Sequence, residues 1–363
     1  MPSNEAFRRI EYDADFCVIG GGLAGILAAI AAARHGAETV LMHDRPVLGG
    51  NASSECRVHV CGADRHGRIP GLRETGIMEE LRLENLARNP HQMWDIWDTV
   101  LYEKVHFQDN LTLLLNCSCM DAAMAGENIQ SVTGWQLTTE TFHEVQADLF
   151  ADCSGDAVLA PLSEAEFRMG REASDEYEES IAPAEADDCT MGMSLMFWAQ
   201  ECDSPQPFDP PDWAYTFESC DDLPYGSDGH QRIREGYWWV ELGGTEEYDS
   251  IEDTEELRDE LLRISYGVWD HIKNHCPVAD AENWTLERMP FLPAKRESRR
   301  YVGQHVLTQN DIEAEGRFED TVAYGGWTMD DHHPSGFWSG QLGHSPTIFH
   351  DAPSPYGIPY RSL

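Results

Sequence analysis

The chain has 363 residues, 41% of them apolar, which suffices for a packed core and for two domains or one large α/β unit with an inserted domain. Its 65 acidic and 25 basic residues leave a formal charge of −40, a surface that repels nucleic acid and anionic membranes and argues against both as partners. No apolar run is long enough to span a bilayer and residues 1–15 lack the apolar stretch of a signal peptide, so a soluble, cytoplasmic protein is expected.

In chain order, Phe16 to Gly20 (FCVIG) reads as a short buried strand and Gly20 to Gly25 as a tight glycine turn. Leu23 to His35 is alanine-rich and helical, and Gly36 stops it. Thr39 to His43 is the second strand of a β-α-β unit, parallel to the first because the crossover is right-handed. Residues 77–87 and 94–109 are helix candidates; 111–115, 132–138 and 148–153 read as strands. Residues 172–188 are acidic and expected to be solvated, and proline-rich 204–213 is expected to be an irregular loop. Tyr237 to Leu242 (YWWVEL) predicts a strand, and 253–274 a long amphipathic helix. Short strand-like segments and a basic cluster follow in 284–305, then a stretch rich in Gly, Trp, His and Asp in 325–340.

The strongest motif is Gly20-x-Gly22-x-x-Gly25, set between a strand and a helix. The first glycine allows the turn, the second lets backbone approach a pyrophosphate, and the third lets the helix pack on the strand. The helix N-terminus then offers N–H groups and a positive dipole end to the anion. Asp44 follows the second strand at about the 20-residue spacing where an acid binds a ribose hydroxyl. The loop alone serves FAD or NAD. The N-terminal position and a second glycine pair, Gly49–Gly50, before Asn51 favour FAD, since such a loop can run beside a longer cofactor.

Ten cysteines occur, none in a C-x-x-C pair, which argues against an iron–sulfur cluster, a structural zinc site or a dithiol centre; no metal ligands are assigned.

VIGGGLAGILAAIAAARHG followed by LGGNASSE resembles the FAD-dependent oxidoreductase family that includes flavin subunits of the heterodisulfide reductase type, and more closely a bacterial and archaeal branch of it. RETGIMEEL (73–81), ADCSGDA (151–157), GREAS (170–174), YWWVELGG (237–244), KRESRR (295–300) and YGGWTMDDHHP (324–334) extend the resemblance over nearly the whole chain. It implies that Gly20, Gly22 and Gly25 hold the pyrophosphate of FAD, Asp44 the adenosine ribose, and Gly49, Gly50 and Asn51 the ribityl chain or flavin. Ser154, Gly155 and Asp156 match a later strand-end motif that usually has threonine first. Two departures stand out. The iron–sulfur cysteine clusters of heterodisulfide-type members are missing. The chain also stops at IPYRSL, where such proteins continue with a segment that returns to the flavin, so a C-terminally truncated fragment is expected.

The expected architecture is a doubly wound, Rossmann-like FAD-binding domain over 1–160. An inserted α+β substrate domain over 161–320 would follow, with 321–363 as an incomplete return segment. The acid–base candidates are Asp330, His332 and His333, since histidine titrates near working pH and a carboxylate fixes its tautomer. Arg296, Arg299 and Arg300 form a basic cluster suited to a carboxylate or phosphate, or else to ion pairs with neighbours such as Glu297; Arg57 follows the second glycine pair. Trp238, Trp239, Trp327 and Trp338 are pocket candidates, or core. The expected activity is hydride transfer between flavin and a small organic substrate, a carbohydrate-like one among the options, with the electron acceptor unassigned. An NAD(P)-linked dehydrogenase and a non-catalytic fragment are the alternatives. The acidic surface reads as adaptation to high salt, where counterions screen self-repulsion. The melting temperature is therefore expected to rise with KCl into the molar range; a flat series would remove that reading.

Overall fold

The computed structural model describes residues 6–64, 68–224 and 232–363. Its first strand, β1 (Arg8–Ile19), is longer than the buried end visible in the sequence. RRIEYDADF alternates polar and apolar residues with period two, so only one face of this half is covered, while Cys17, Val18 and Ile19 are fully buried. After helix α1 (Leu23–Arg34), β2 (Thr39–Met42) lies parallel to β1. Helices α2 (Gly76–Arg88) and α3 (Trp94–His106) lead to β3 (Leu111–Leu114), parallel to β2. An antiparallel set follows: β4 (Cys117–Ala125), β5 (Asn128–Gln136) and β6 (Thr141–Asp152). β6 returns parallel to β1 along its whole length, giving the order β3-β2-β1-β6-β5-β4.

The two faces of this sheet are closed differently. On one, Val18 and Leu41 pack with Ile26 and Ile30 of α1, Leu81 of α2 and Val100 and Leu101 of α3. On the other, Cys17, Ile19, Val40 and Met42 pack against Val132, Val145 and Leu159, the last in the short helix α4 (Leu159–Ser163). The second face is thus covered mainly by the antiparallel strands rather than by a second layer of long helices. Strand β4 escapes a hydropathy reading because most of its residues are exposed or half-buried, and the first half of β6 because two of its buried positions, Thr141 and His143, are polar.

A two-residue strand, β7 (Phe167–Arg168), precedes the second sheet. That sheet is antiparallel, in the order β10-β8-β9, from β8 (Met193–Glu201), β9 (Tyr237–Leu242) and β10 (Trp284–Arg288). Helix α5 (Thr254–Asp270) covers one face. Strand alternation sends Leu195, Phe197, Trp238 and Val240 into this core with Leu257, Leu261 and Trp269. The opposite residues, Ser194, Met196, Trp198, Tyr237, Trp239 and Glu241, fall on the other face of the sheet. Strand β11 (Arg300–Tyr301) pairs with β7.

In the C-terminal stretch, β12 (Thr321–Gly325) pairs with β15 (Tyr356–Pro359), and β13 (Met329–His332) with β14 (Thr347–His350). The stretch touches the first domain: the Gly326 N–H donates to the Gly62 carbonyl at 3.0 Å, and the Tyr324 hydroxyl to the Arg73 carbonyl. A Cβ on Gly326 would sit 1.9 Å from the Ala63 carbonyl oxygen, so only glycine fits there. Among the described residues, no helix is long and apolar enough to cross a membrane.

Phe197 is fully buried, stacked 5.1 Å from Trp238. Phe197→Ala is expected to cost about 3–5 kcal/mol in urea unfolding, against under about 0.5 kcal/mol for Leu137→Ala at an exposed position.

Candidate active site

The β1–α1 turn is built from backbone contacts that exclude side chains. Gly20 runs at φ +102°, and a Cβ there would lie 2.2 Å from the Cys153 carbonyl oxygen, at the end of β6. A Cβ on Gly25 would lie 1.9 Å from the Gly20 carbonyl oxygen. Gly22 differs: it precedes α1 in extended backbone, and a Cβ there would meet nothing within 4 Å. The first N–H groups of α1 have no intrahelical acceptors, and Gly22 brings no side chain to cap them.

His43, directly after β2, holds the glycine turn from behind. This ring, 2% exposed, accepts the Gly21 N–H on Nδ1 at 2.9 Å and donates from Nε2 to the Val47 carbonyl at 3.0 Å. Both bonds need the neutral ring, and burial pushes its pKa down, which favours that form. The sequence signal was a histidine ending an apolar strand beside a triple-glycine run. Asp44 is 60% exposed, with a carboxylate oxygen 3.3 Å from His43 Nδ1, at the open edge of the loop.

The second glycine pair packs on the first. The Gly49 N–H donates to the Gly21 carbonyl at 2.8 Å, and a Cβ on Gly50 would come within 3.2 Å of the Gly22 Cα. Gly49 and Gly50 run at φ +114° and +59°. Asn51 commits its amide to the Lys295 carbonyl at 2.7 Å, so it joins this loop to the 295–300 segment. At the end of β6, the Ser154 hydroxyl donates to Asp152 at 2.6 Å, and Gly155, at φ +90°, has open space at its Cβ position. Asp156 receives Lys295 Nζ and the Ser298 hydroxyl, each at 2.7 Å, while its carbonyl takes Arg299 Nε at 2.8 Å.

The arginines clustered in sequence diverge in space. Arg296 binds Glu241, Arg299 reaches Asp156 and lies over the Phe167 ring, and Arg300 pairs with Glu297 and Glu172. The ion-pair alternative, Glu297 included, is what the fold builds, and a single three-arginine anion site is not formed. Arg57 lies elsewhere, over the Trp198 ring at 5.4 Å and 3.4 Å from Glu287.

The acid–base candidates also separate. Asp330 holds its own turn, accepting Trp327 Nε1 at 2.7 Å. His333 stacks on His344 at 4.8 Å and accepts the Ser335 N–H on Nδ1; burial, with His344 and Arg171 nearby, pushes its pKa down. His332 enters a buried cluster that the sequence did not announce. Its Nδ1 lies 2.7 Å from Glu241 Oε2, and its Nε2 lies 3.2 Å from Arg296 Nη2. Arg296 can only donate, so Nε2 accepts and Nδ1–H donates to the carboxylate. Glu241 also accepts Trp239 Nε1 at 2.7 Å and the Ser194 hydroxyl at 3.1 Å. Burial alone would raise its carboxyl pKa, but the His332 bond and the Arg296 charge bring it below the ordinary value. Asp330, His332 and His333 therefore share no common point for a metal. Of the tryptophans, Trp238 is core, Trp239 holds Glu241, Trp327 holds Asp330, and Trp338 packs on Phe217.

A cavity of about 890 Å³ opens between the second sheet on one side and the 52–60 loop, α2 and α3 on the other. Its walls include Arg57 and His59 from beyond the second glycine pair, Trp94 and Trp97 of α3, and Trp198 and Tyr237 from the face of the second sheet opposite α5.

No curated protein matches the chain. Among solved structures, it is similar to the myxobacterial chondrochloren halogenase CndH at 14% identity, over 80% of this chain and 65% of that one, with a TM-score of 0.41. The glycerol-3-phosphate dehydrogenase of Bacillus halodurans, complexed with FAD, is 13% identical over 55% and 43%, with a TM-score of 0.32. The L-proline dehydrogenase of P. horikoshii is 18% identical over 41% and 24%, with a TM-score of 0.27. The chain spans less than half the length of the last two. Likenesses this distant say nothing of substrate or reaction. The family model described as FAD dependent oxidoreductase matches residues 15–363, across both glycine loops and the Glu241–Arg296–His332 cluster, and it decides for FAD over a nicotinamide cofactor. This chain belongs to the FAD dependent oxidoreductase family.

Proposed function

We propose that the chain carries out two-electron oxidoreduction of a small organic molecule bound in the 890 Å³ cavity, with His332 handling the proton that accompanies the hydride. The observation that carries the reading is the pair of interlocked glycine loops with Gly22 left open. Bare backbone and the start of α1 suit a pyrophosphate, and Asp44 at the loop's edge suits a ribose. Bound FAD supplies the two-electron acceptor. The second glycine loop continues through Asn51 and Ala52 into Arg57 and His59, so the backbone beside the cofactor leads directly into the cavity wall.

The cavity has the size of a small-molecule site. Arg57 lines it, and its guanidinium suits an anionic or hydroxyl-bearing group on the substrate. Trp94, Trp198 and Tyr237 offer flat apolar faces. Strand register supports the reading: Met196 and Trp198 line the cavity, and Ser194, two residues earlier on the same face of β8, pairs with Glu241, the partner of His332. The Glu241 carboxylate fixes the His332 tautomer with Nε2 as the basic nitrogen, and Arg296 must give way for Nε2 to take a proton.

Two outcomes are expected. Gly22→Val fills only open space at an ordinary backbone conformation, so the melting temperature should hold while FAD affinity falls at least about tenfold, which is about 1.4 kcal/mol, measured from the visible flavin bands. Unchanged affinity would sink the pyrophosphate assignment. For any compound that bleaches the flavin anaerobically, His332→Asn should slow bleaching by about 100-fold or more while His333→Asn stays near the parent rate. Equal rates in the parent and His332→Asn would remove the proton role.

A further inference from the structure

We infer that Cys220, His271 and Cys276 form a zinc site that fastens the 202–224 loop to the end of α5. Their ligand atoms all lie within 4.8 Å of one another. The two Sγ atoms are 4.0 Å apart, close to the roughly 3.8 Å that separates two thiolates on a tetrahedral zinc with bonds of about 2.3 Å. The residues come from two segments, with the cysteines 56 positions apart, which is why no spacing motif reveals them.

Local backbone explains the convergence. After Asp270 the helix widens into one π turn, His271–His275, closed by the Cys276 N–H on the His271 carbonyl at 2.7 Å. In that wider turn, residues five apart come into line along the axis, as they do not in an α-helix. The second shell is that of a metal site. His271 Nδ1–H donates to the Phe217 carbonyl at 2.7 Å, which directs Nε2 as the ligand nitrogen. The Ala279 N–H donates to Cys276 Sγ at 3.2 Å, a bond that favours the thiolate. Two cysteines and one histidine are a zinc-type donor set, and a water completes the tetrahedron.

There is a structural use for such an ion. Between Glu201 and Tyr237 the described residues contain only short 3-10 turns. A metal clip across a long irregular segment binds only the folded arrangement, so its binding energy favours that arrangement.

The test uses the full-length protein, purified with a non-chelating reductant, stripped with EDTA and titrated with Zn²⁺ alone. About one zinc per chain is expected by elemental analysis, with release of about two protons per ion as the thiols ionise, and a higher melting temperature for the loaded protein. The double variant Cys220→Ser/Cys276→Ser should lose the zinc, whereas Cys202→Ser keeps it. If the double variant fails to fold, the proton release of the parent still decides. Zinc uptake equal in parent and double variant, binding without proton release, or a 220–276 disulfide that blocks uptake in protein purified under reductant would each overturn the site.

Discussion

The cofactor end of this molecule depends on direct backbone-to-backbone packing of two glycine loops. The Gly49 N–H reaches the Gly21 carbonyl at 2.8 Å, and Gly50 presses to within side-chain distance of the Gly22 Cα. The tight side of this contact is Gly50, where a Cβ would press to 3.2 Å from the Gly22 Cα, while Gly22 itself faces open space. The packing leaves a surface made of peptide groups at the head of α1, which is what a pyrophosphate needs: donors, little bulk and a favourable dipole. His43 secures the arrangement from behind, through its bond to the Gly21 N–H. A buried, neutral ring joining β2 to the turn makes the loop's shape part of the sheet's hydrophobic core rather than a property of the loop alone.

From this corner, the chain's own connectivity lays out the rest. The segment after Gly50 becomes a wall of the cavity, and the face of the second sheet opposite α5 forms part of the opposite wall. Period-two alternation does the sorting. In β9, Trp238 and Val240 enter the core under α5, while Tyr237 lines the cavity and Trp239 and Glu241 meet Arg296 and His332. Two adjacent tryptophans thus have opposite duties, one in packing and one in fixing a buried carboxylate. Asp156 plays a similar joining part, since three residues of the 295–300 segment bond to it and bring the second domain's basic stretch against the end of β6.

The same segment shows how charge behaves in a very acidic chain. With 65 carboxylates available, an arginine usually finds an ion pair, and Arg296 and Arg300 do so. Exposed pairs, such as Arg317 with Glu315, contribute little. The buried Glu241–Arg296–His332 group differs, because three polar side chains satisfy one another out of water, and removing one would strand the others.

The sequence by itself determined the elements whose physics is local. Glycine spacing between an apolar strand and an alanine-rich helix predicted the β1–α1–β2 unit, and the helical periodicity of 253–274 and the YWWVEL strand emerged close to where they were expected. Strand β4 and the polar half of β1 carry little hydropathy signal because most of their residues are exposed or half-buried, and the first half of β6 carries little because two of its buried positions, Thr141 and His143, are polar. The candidate site divided in the same way. Gly20, Gly22, Gly25, Gly49 and Gly50 stand out in the sequence because their spacing along the chain is itself the signal. His43, Glu241 and the partners of Arg296 do not, since a buried polar group is defined by what surrounds it in three dimensions. The tertiary structure alone decided that KRESRR scatters, that DDHH splits into separate tasks, and that His332 meets a carboxylate 91 positions away. Adjacent residues on a strand point to opposite faces, and side chains distant in sequence meet only when the sheets have formed.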